Sequence, residues 1–241
     1  MQVLAGGKGN RVLQLRTPFG GGKTHTLIAL YHLAHSRPGL DDEAWADIPD
    51  PGTTRVAVIQ GLALDPYAPR RDGGNTLHTL WGEIAWQVAG PEGYKLVEAQ
   101  DKARTAPGGD VLRALLGGQP TLILMDEVLT YVQKTGGFPV LDSTLGRQTM
   151  AFMQTLTEVV RSLPHAALVY SLQASVREAA GDEALLDELD HLVSRIDAKR
   201  EPVSGDEILR VVQRRLFADL GDARVRQEVA REYAALYRRS P

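Results

Sequence analysis

A glycine-rich turn near the start of the chain, Gly20-Gly21-Gly22-Lys23-Thr24, lies between an apolar run and a long helical pattern. Glycines leave backbone N–H groups open to phosphate oxygens, and the helix that follows turns its positive dipole end toward the same anion. Lys23 adds a positive charge for the outer phosphates, and the Thr24 hydroxyl is the kind of oxygen ligand that Mg²⁺ binds. The turn therefore predicts a site for a magnesium-bound nucleoside triphosphate. Its candidate binding residues are Phe19, Gly20, Gly21, Gly22, Lys23, Thr24 and His25.

The turn departs from the usual phosphate-binding pattern in one place. The pattern G-x-x-x-x-G-K-[ST] puts its first glycine at position 17, where this chain has Thr17 followed by Pro18. A flexible turn between a strand and a helix is the alternative interpretation of the same glycines. A second motif favours the phosphate site.

That second motif is an apolar run that ends in two acids, Leu122 to Glu127. In open α/β folds, ligands bind at the carboxyl ends of the strands, where such acids lie. Asp126 is expected to hold Mg²⁺ together with Thr24, and Glu127 is expected to orient the water that attacks the γ-phosphate. The alternative is that both acids only end a strand and begin a helix, where they complement the helix dipole. The two motifs together predict binding and hydrolysis of ATP or GTP.

Further candidates lie at other element ends. Ser171 and Gln173 end a predicted strand and are candidates for a hydrogen bond to the γ-phosphate or the attacking water, although small polar residues are also common at strand ends. Arg195 ends a leucine-rich helical pattern, and it is the first candidate, with Arg200 second, for a charge that reaches a nucleotide held by a neighbouring subunit. An arginine in a last helical turn is also a favourable partner of the helix dipole.

The composition excludes several classes of protein. The chain has 241 residues, of which 43% are hydrophobic and none is cysteine, so disulfides and thiolate metal sites are excluded. No apolar run approaches the roughly 20 residues that span a bilayer, and no secretory signal follows Met1. Cytoplasmic residence is therefore expected. The histidines His25, His32 and His35 lack the spacing of a metal-binding motif, and ordinary packing or surface roles are expected for them.

The net charge of −3 does not indicate a nucleic-acid-binding protein, but the end of the chain differs locally. Residues 208–239 hold eight arginines and four acids, with the arginines at helical spacing. A solvated helix face is the usual interpretation of this pattern, and contact with DNA is the alternative. These arginines are Arg210, Arg214, Arg215, Arg224, Arg226, Arg231, Arg238 and Arg239.

Strand and helix patterns alternate along the chain. Strands are predicted over 11–17, 54–60, 121–126, 166–172 and 201–203, and helices over 24–36, 77–89, 94–105, 110–116, 147–163 and 178–196. Asp110 is the predicted N-cap of its helix. This alternation predicts an α/β fold with a mainly parallel sheet flanked by helices. We assign residues 1–10 to an extended lead-in, 11–203 to a P-loop core and 204–241 to a helical segment.

The spacing of these features resembles the AAA+ class of P-loop ATPases over nearly the whole chain. More narrowly, the segments Leu15 to Thr26, Thr79 to Ala85 and Leu124 to Val128 are similar to domain-of-unknown-function family 499, whose members also have Thr-Pro in place of the first glycine. The resemblance implies that Gly20 to Thr24, Asp126 and Glu127 bind ATP and Mg²⁺, and that residues 204–241 begin a helical lid. An incomplete lid would make this chain a piece of a longer protein. The genes of this family are reported beside DNA methyltransferase and helicase genes in phage-defence islands.

Three functions are compatible with these residues. The leading one is an ATPase that acts as a homo-oligomer and drives remodelling or loading of a DNA-associated defence complex, with DNA-modifying or helicase proteins as partners. The second is a nucleotide-dependent scaffold with little or no turnover; Glu127 argues against it, since a pure binder needs no water-orienting carboxylate. The third is a small-molecule or nucleotide kinase, whose acceptor site would have to lie in the loop over 64–75.

Overall fold

The computed structural model describes residues 1–17, 22–35, 45, 47–173, 198–200 and 221–239. The strands are β1 (Val12–Thr17), β2 (Arg55–Gln60), β3 (Arg70–Asp72), β4 (Asn75–Leu77), β5 (Thr121–Asp126), β6 (Pro139–Val140), β7 (Ser143–Thr144), β8 (Ala166–Gln173) and β9 (Ala198–Arg200). The helices are α1 (Lys23–His35), α2 (Leu80–Ala103), α3 (Gly109–Leu116), α4 (Val128–Thr135), α5 (Leu145–Ser162) and α6 (Ala223–Arg239).

A five-stranded sheet with the order β2-β5-β8-β1-β9 forms the centre of the fold. Every neighbouring pair in this sheet is parallel. The two short hairpins, β3-β4 and β6-β7, are antiparallel and separate from it. The prediction of an α/β fold with a mainly parallel sheet is therefore confirmed.

The interior strand β5 is apolar on both faces, because helices cover both sides of the sheet. Successive side chains of a strand alternate between faces. Ile123 and Met125 accordingly belong to a large core with α2, α3, α4 and α5, while Leu122 and Leu124 belong to a smaller core with α1. The lead-in adds Leu4 to this smaller core. It is not extended as expected, because residues 2–6 form hydrogen-bonded turns.

The long helix α2 is interrupted where the sequence predicts a gap between two helices. Ala89 and Gly90 have non-helical dihedral angles, and Pro91 starts the second half in the position that proline favours. Buried Asp101 in the second half is bonded to the start of the first half, since it accepts a hydrogen bond from the Thr79 N-cap hydroxyl, and it accepts another from the Tyr94 hydroxyl within its own half. A buried side-chain hydrogen bond thus joins the two halves across the interruption.

The next helix, α3, begins earlier than predicted. Its N-cap is Gly108, and Asp110 lies in the first turn, so the prediction of Asp110 as the N-cap is wrong. At the other end, Arg55 reaches over from the start of β2 to the C-terminal carbonyls of α3. Its guanidinium donates to the carbonyl oxygens of Leu115 (3.3 Å), Leu116 (3.1 Å) and Gly117 (3.0 Å). It also donates to the hydroxyl of Thr121, the first residue of β5, at 3.1 Å.

An amide side chain covers part of the free edge of β2, which is an edge strand of the described sheet. The backbone N–H of Val58 donates to Gln87 Oε1 at 2.7 Å, and Gln87 Nε2 donates to the carbonyl oxygen of Val58 at 3.0 Å. The Gln87 amide thus makes the two hydrogen bonds that a neighbouring strand would make at this position.

The last described strand lies earlier than expected. A strand is predicted over 201–203, whereas β9 covers Ala198–Arg200, and residues 201–203 lie outside the described part. The predicted helix over 178–196 lies outside it as well.

The chain divides into two compact units, Met1–Pro202 and Val203–Pro241. The described part of the second unit is α6 with the two residues before it, and its arginines Arg224, Arg226 and Arg231 are exposed. The roles assigned to 204–241 as a lid and as a possible DNA contact stay predictions. No described helix has the length and apolar character that crossing a bilayer requires.

Candidate active site

The carboxyl ends of β1, β5 and β8 meet at one edge of the sheet because these strands are parallel. Lys23 and Thr24 begin α1 beyond the end of β1, Asp126 ends β5, and Ser171 lies in β8 between those two strands. Residues from three parts of the sequence therefore approach one another at the edge where α/β folds bind ligands.

Thr24 and Asp126 are in direct contact although 102 residues separate them in sequence. The Thr24 hydroxyl donates to Asp126 Oδ2 at 2.7 Å. A hydroxyl oxygen and a carboxylate oxygen are hard donors of the type that Mg²⁺ prefers. These two side chains fit the predicted metal-ligand pair.

Ser171 links the two acids of the second motif. Its buried hydroxyl donates to Asp126 Oδ1 and accepts a hydrogen bond from the backbone N–H of Glu127 at 3.1 Å. The hydroxyl therefore orients Asp126 and holds the Glu127 amide. Its predicted contact with the γ-phosphate or the attacking water stays a prediction.

Glu127 has a left-handed backbone conformation, with φ 54° and ψ 38°. Few residues other than glycine adopt this region, and such outliers persist only where neighbouring groups hold them. Glu127 is also the N-cap of α4, as the alternative interpretation of the two acids requires. Its side chain makes no capping hydrogen bond to that helix, however, so helix capping does not account for the carboxylate.

Lys23 is buried, and its ammonium lies in the field of both acids. Burial lowers its pKa from the ordinary value, while the charges of Asp126 and Glu127 act in the opposite direction. The residue before it, Gly22, has φ +76°, and its carbonyl oxygen accepts from the Thr26 N–H at 2.9 Å and from the Thr26 hydroxyl at 3.0 Å. The last glycine of the turn is thus required by its backbone conformation.

Two cavities adjoin the end of β2, and both include Gln60 in their lining. The first, of about 390 Å³, starts at Thr24 and Asp126 and runs between α1 and β2 along apolar side chains. The second, of about 430 Å³, lies against the segment 63–79, which includes the loop 64–75 where a kinase acceptor site would have to lie. Its lining includes the ion pair of Arg70 and Glu83, in which Arg70 Nε lies 2.8 Å from Glu83 Oε1.

Two residues at this edge, Gln60 and Gly61, are not among the site residues predicted from sequence. Gln60 pairs in register with Asp126, and the Gly61 N–H donates to the Asp126 carbonyl oxygen at 2.8 Å. A polar residue followed by glycine at the end of a predicted strand was the available signal. It is weak, because strands commonly end in this way.

Several predicted site residues lie outside the described part of the chain. They are Phe19, Gly20, Gly21 and Arg195. Arg200 and Gln173 are described only as backbone positions in β9 and β8, and Arg200 pairs in register with Leu15 of β1. His25 is exposed on α1, as are His32 and His35. Among the described residues, no group of three or more His, Cys, Asp or Glu side chains is arranged to hold a metal ion.

The order of the parallel strands and the residues gathered at their carboxyl edge define a protein with a P-loop NTPase-like fold. The prediction of that fold from sequence is confirmed. The chain belongs to the DUF499 family, since its residues 1–48 and 53–207 match the DUF499 N-terminal domain. The resemblance to family 499 is thereby confirmed. No curated protein sequence matches the chain.

Proposed function

We propose that this chain is an ATPase module that binds Mg-ATP at the carboxyl edge of its sheet and hydrolyses it. One observation carries the proposal: the Thr24 hydroxyl lies 2.7 Å from the carboxylate of Asp126, which brings the glycine turn and the acidic strand end into one site. The alternative interpretations, in which the glycines form only a flexible turn and the two acids only begin a helix, would not require that contact.

Each residue has a role that follows from its charge and position. Lys23 offsets negative charge on the phosphates, and helix α1, which begins at Lys23, directs its positive end to them. Thr24 and Asp126 would hold a Mg²⁺ ion, which neutralises phosphate charge when it is bound. Glu127 orients a water molecule and draws its proton as the water oxygen bonds to the γ-phosphorus and the bond to the ADP oxygen breaks.

The biological role is proposed from the family. We infer that hydrolysis drives remodelling or loading of a DNA-associated defence complex by a homo-oligomer, with Arg195 as the arginine that reaches the neighbouring nucleotide. The resemblance to the family also favours adenine over guanine as the base of the bound nucleotide. The exposed arginines of α6 are the candidate DNA contact in the described part of the second unit.

The test is steady-state phosphate release from Mg-ATP, with and without duplex DNA. We expect turnover in the wild-type protein, loss of turnover with retained nucleotide binding in Glu127→Gln, and loss of nucleotide binding in Lys23→Ala. Glu158→Gln is the matched control, because Glu158 is an exposed residue of α5. A Glu127→Gln protein as active as the control would refute the role of Glu127. Binding of Mg-ATP without turnover in the wild type would favour the scaffold function.

A further inference from the structure

Gly61 is the first residue after β2 and lies beside the end of β5. Its N–H donates to the carbonyl oxygen of Asp126 at 2.8 Å, so it continues the pairing of these strands by one residue. It therefore contacts the peptide unit that joins the two acids of the site.

The space at Gly61 admits no side chain. A Cβ atom there would lie 2.2 Å from the carbonyl oxygen of Glu127, 2.8 Å from its carbonyl carbon and 3.2 Å from the Cα of Val128. All three are backbone atoms, so no change of rotamer relieves the clash. Gly61 does not have a positive φ, in contrast to Gly22. Glycine is required here by the close approach to Glu127.

Glu127 is held from two sides. On the β8 side, the Ser171 hydroxyl accepts from its N–H at 3.1 Å; on the β2 side, Gly61 packs against its carbonyl group. The left-handed conformation of Glu127, at φ 54°, lies between these two contacts. A shift of either neighbour would move the backbone from which the carboxylate extends.

We propose that Gly61 is a positioning residue for Glu127: the absence of a side chain at residue 61 permits the left-handed conformation that the Glu127 carboxylate needs for hydrolysis. The proposal rests on the proposed ATPase function. It assigns Gly61 no contact with the nucleotide, so substitution there lowers turnover and leaves binding in place.

The first experiment compares Gly61→Ala with wild type in turnover and in the affinity for Mg-ATP. We expect kcat to fall by about tenfold or more while the Kd changes by less than about threefold, since only interactions of the transition state are lost. Gly137→Ala is the matched control, because a Cβ at Gly137 meets no atom within 4 Å and its φ is not positive. In a Glu127→Gln background, Gly61→Ala should lower kcat no further. A Gly61→Ala protein that keeps its kcat, or that loses kcat and binding in proportion, would overturn the proposal.

The second experiment measures the contact without turnover. Glycine at position 127 tolerates many backbone conformations, so Glu127→Gly should let the clashing carbonyl move aside. We expect Gly61→Ala to lower Tm less in the Glu127→Gly background than in wild type, or to regain folding there if it does not fold alone. An equal loss of Tm in both backgrounds contradicts the inferred contact. Absence of turnover in wild type would refute the proposed function and the catalytic part of this inference together, whereas the Tm comparison would still report the contact.

Discussion

Replacement of Ser171 by alanine tests whether one buried hydroxyl holds both acids of the site. Alanine keeps the backbone of β8 and removes only the Oγ atom, which donates to Asp126 and accepts from the Glu127 N–H at 3.1 Å. Ser171 is fully buried, so water cannot easily replace the lost partner. The Glu127 amide would lose this acceptor, while Asp126 keeps its bond with Thr24.

The expected magnitude follows from these two bonds. A buried donor that loses its partner costs about 1–3 kcal/mol, and we expect a loss of about 2 kcal/mol in the free energy of unfolding because Asp126 keeps other partners. For a chain of this length, that loss corresponds to a fall in Tm of about 4–8 °C. If the same energy keeps Glu127 in its reactive conformation, kcat falls by up to about thirtyfold. Binding of Mg-ATP should persist, because Lys23 and Thr24 are untouched.

The assays are urea unfolding, a thermal melt and phosphate release, each with Ser162→Ala as the control. The Ser162 hydroxyl makes one local bond, to the carbonyl oxygen of Val159 at 2.7 Å, and its loss should cost about 0.5 kcal/mol without effect on kcat. A Ser171→Ala protein with the stability and turnover of wild type would refute the reasoning. Equal losses of stability and turnover in the two variants would show that the Ser171 hydroxyl contributes no more than a hydroxyl with one local hydrogen bond.

Two further predictions concern stability. Arg55→Met removes the donors that satisfy the C-terminal carbonyls of α3, so it should lower the free energy of unfolding, measured in urea, by about 2–3 kcal/mol. Arg147→Met, at an exposed arginine, is the control. An effect of Arg55→Met no larger than that of the control would contradict this prediction. Burial lowers the pKa of His78 from its ordinary value of 6.5, against the opposite effect of Asp101. The folded protein therefore binds this proton less readily than the unfolded chain, and stability should fall as the pH drops below 6.5 toward the folded pKa. His78→Gln should reduce that fall in a pH series of urea unfolding curves, and an unchanged pH dependence would exclude His78 as its source.

The sheet and the site edge could be predicted from sequence because their signals are local. β5 is a continuous apolar run that ends in acids, as a strand buried on both faces requires. Parallel pairing of β5 with β8 and of β8 with β1 brings the carboxyl ends of all three strands to one edge, so the proximity of Thr24 and Asp126 follows from three strand predictions. The glycine turn and the residues at the strand ends thus supplied most of the sequence information about the site.

Other features depend on tertiary contacts that no local pattern reports. α4 starts directly after a left-handed glutamate, in place of the usual serine, threonine, asparagine or aspartate cap, so its start carries no sequence signal. Asp110 has the right type for an N-cap, but the chain turns two residues earlier, at Gly108. The need for glycine at position 61 arises only when β2 and β5 pair and bring the Glu127 carbonyl close.

The amide of Gln87 has a consequence for the behaviour of the protein at high concentration. An exposed edge strand is a template on which a strand of another molecule can add, and such addition is a common start of aggregation. In the described part of the chain, Val58 lies on such an edge, and its apolar side chain is 46% exposed. Because the Gln87 amide already occupies both backbone groups of Val58, an incoming strand must first displace it. One side chain on a helix thus helps to keep separate molecules from joining their sheets.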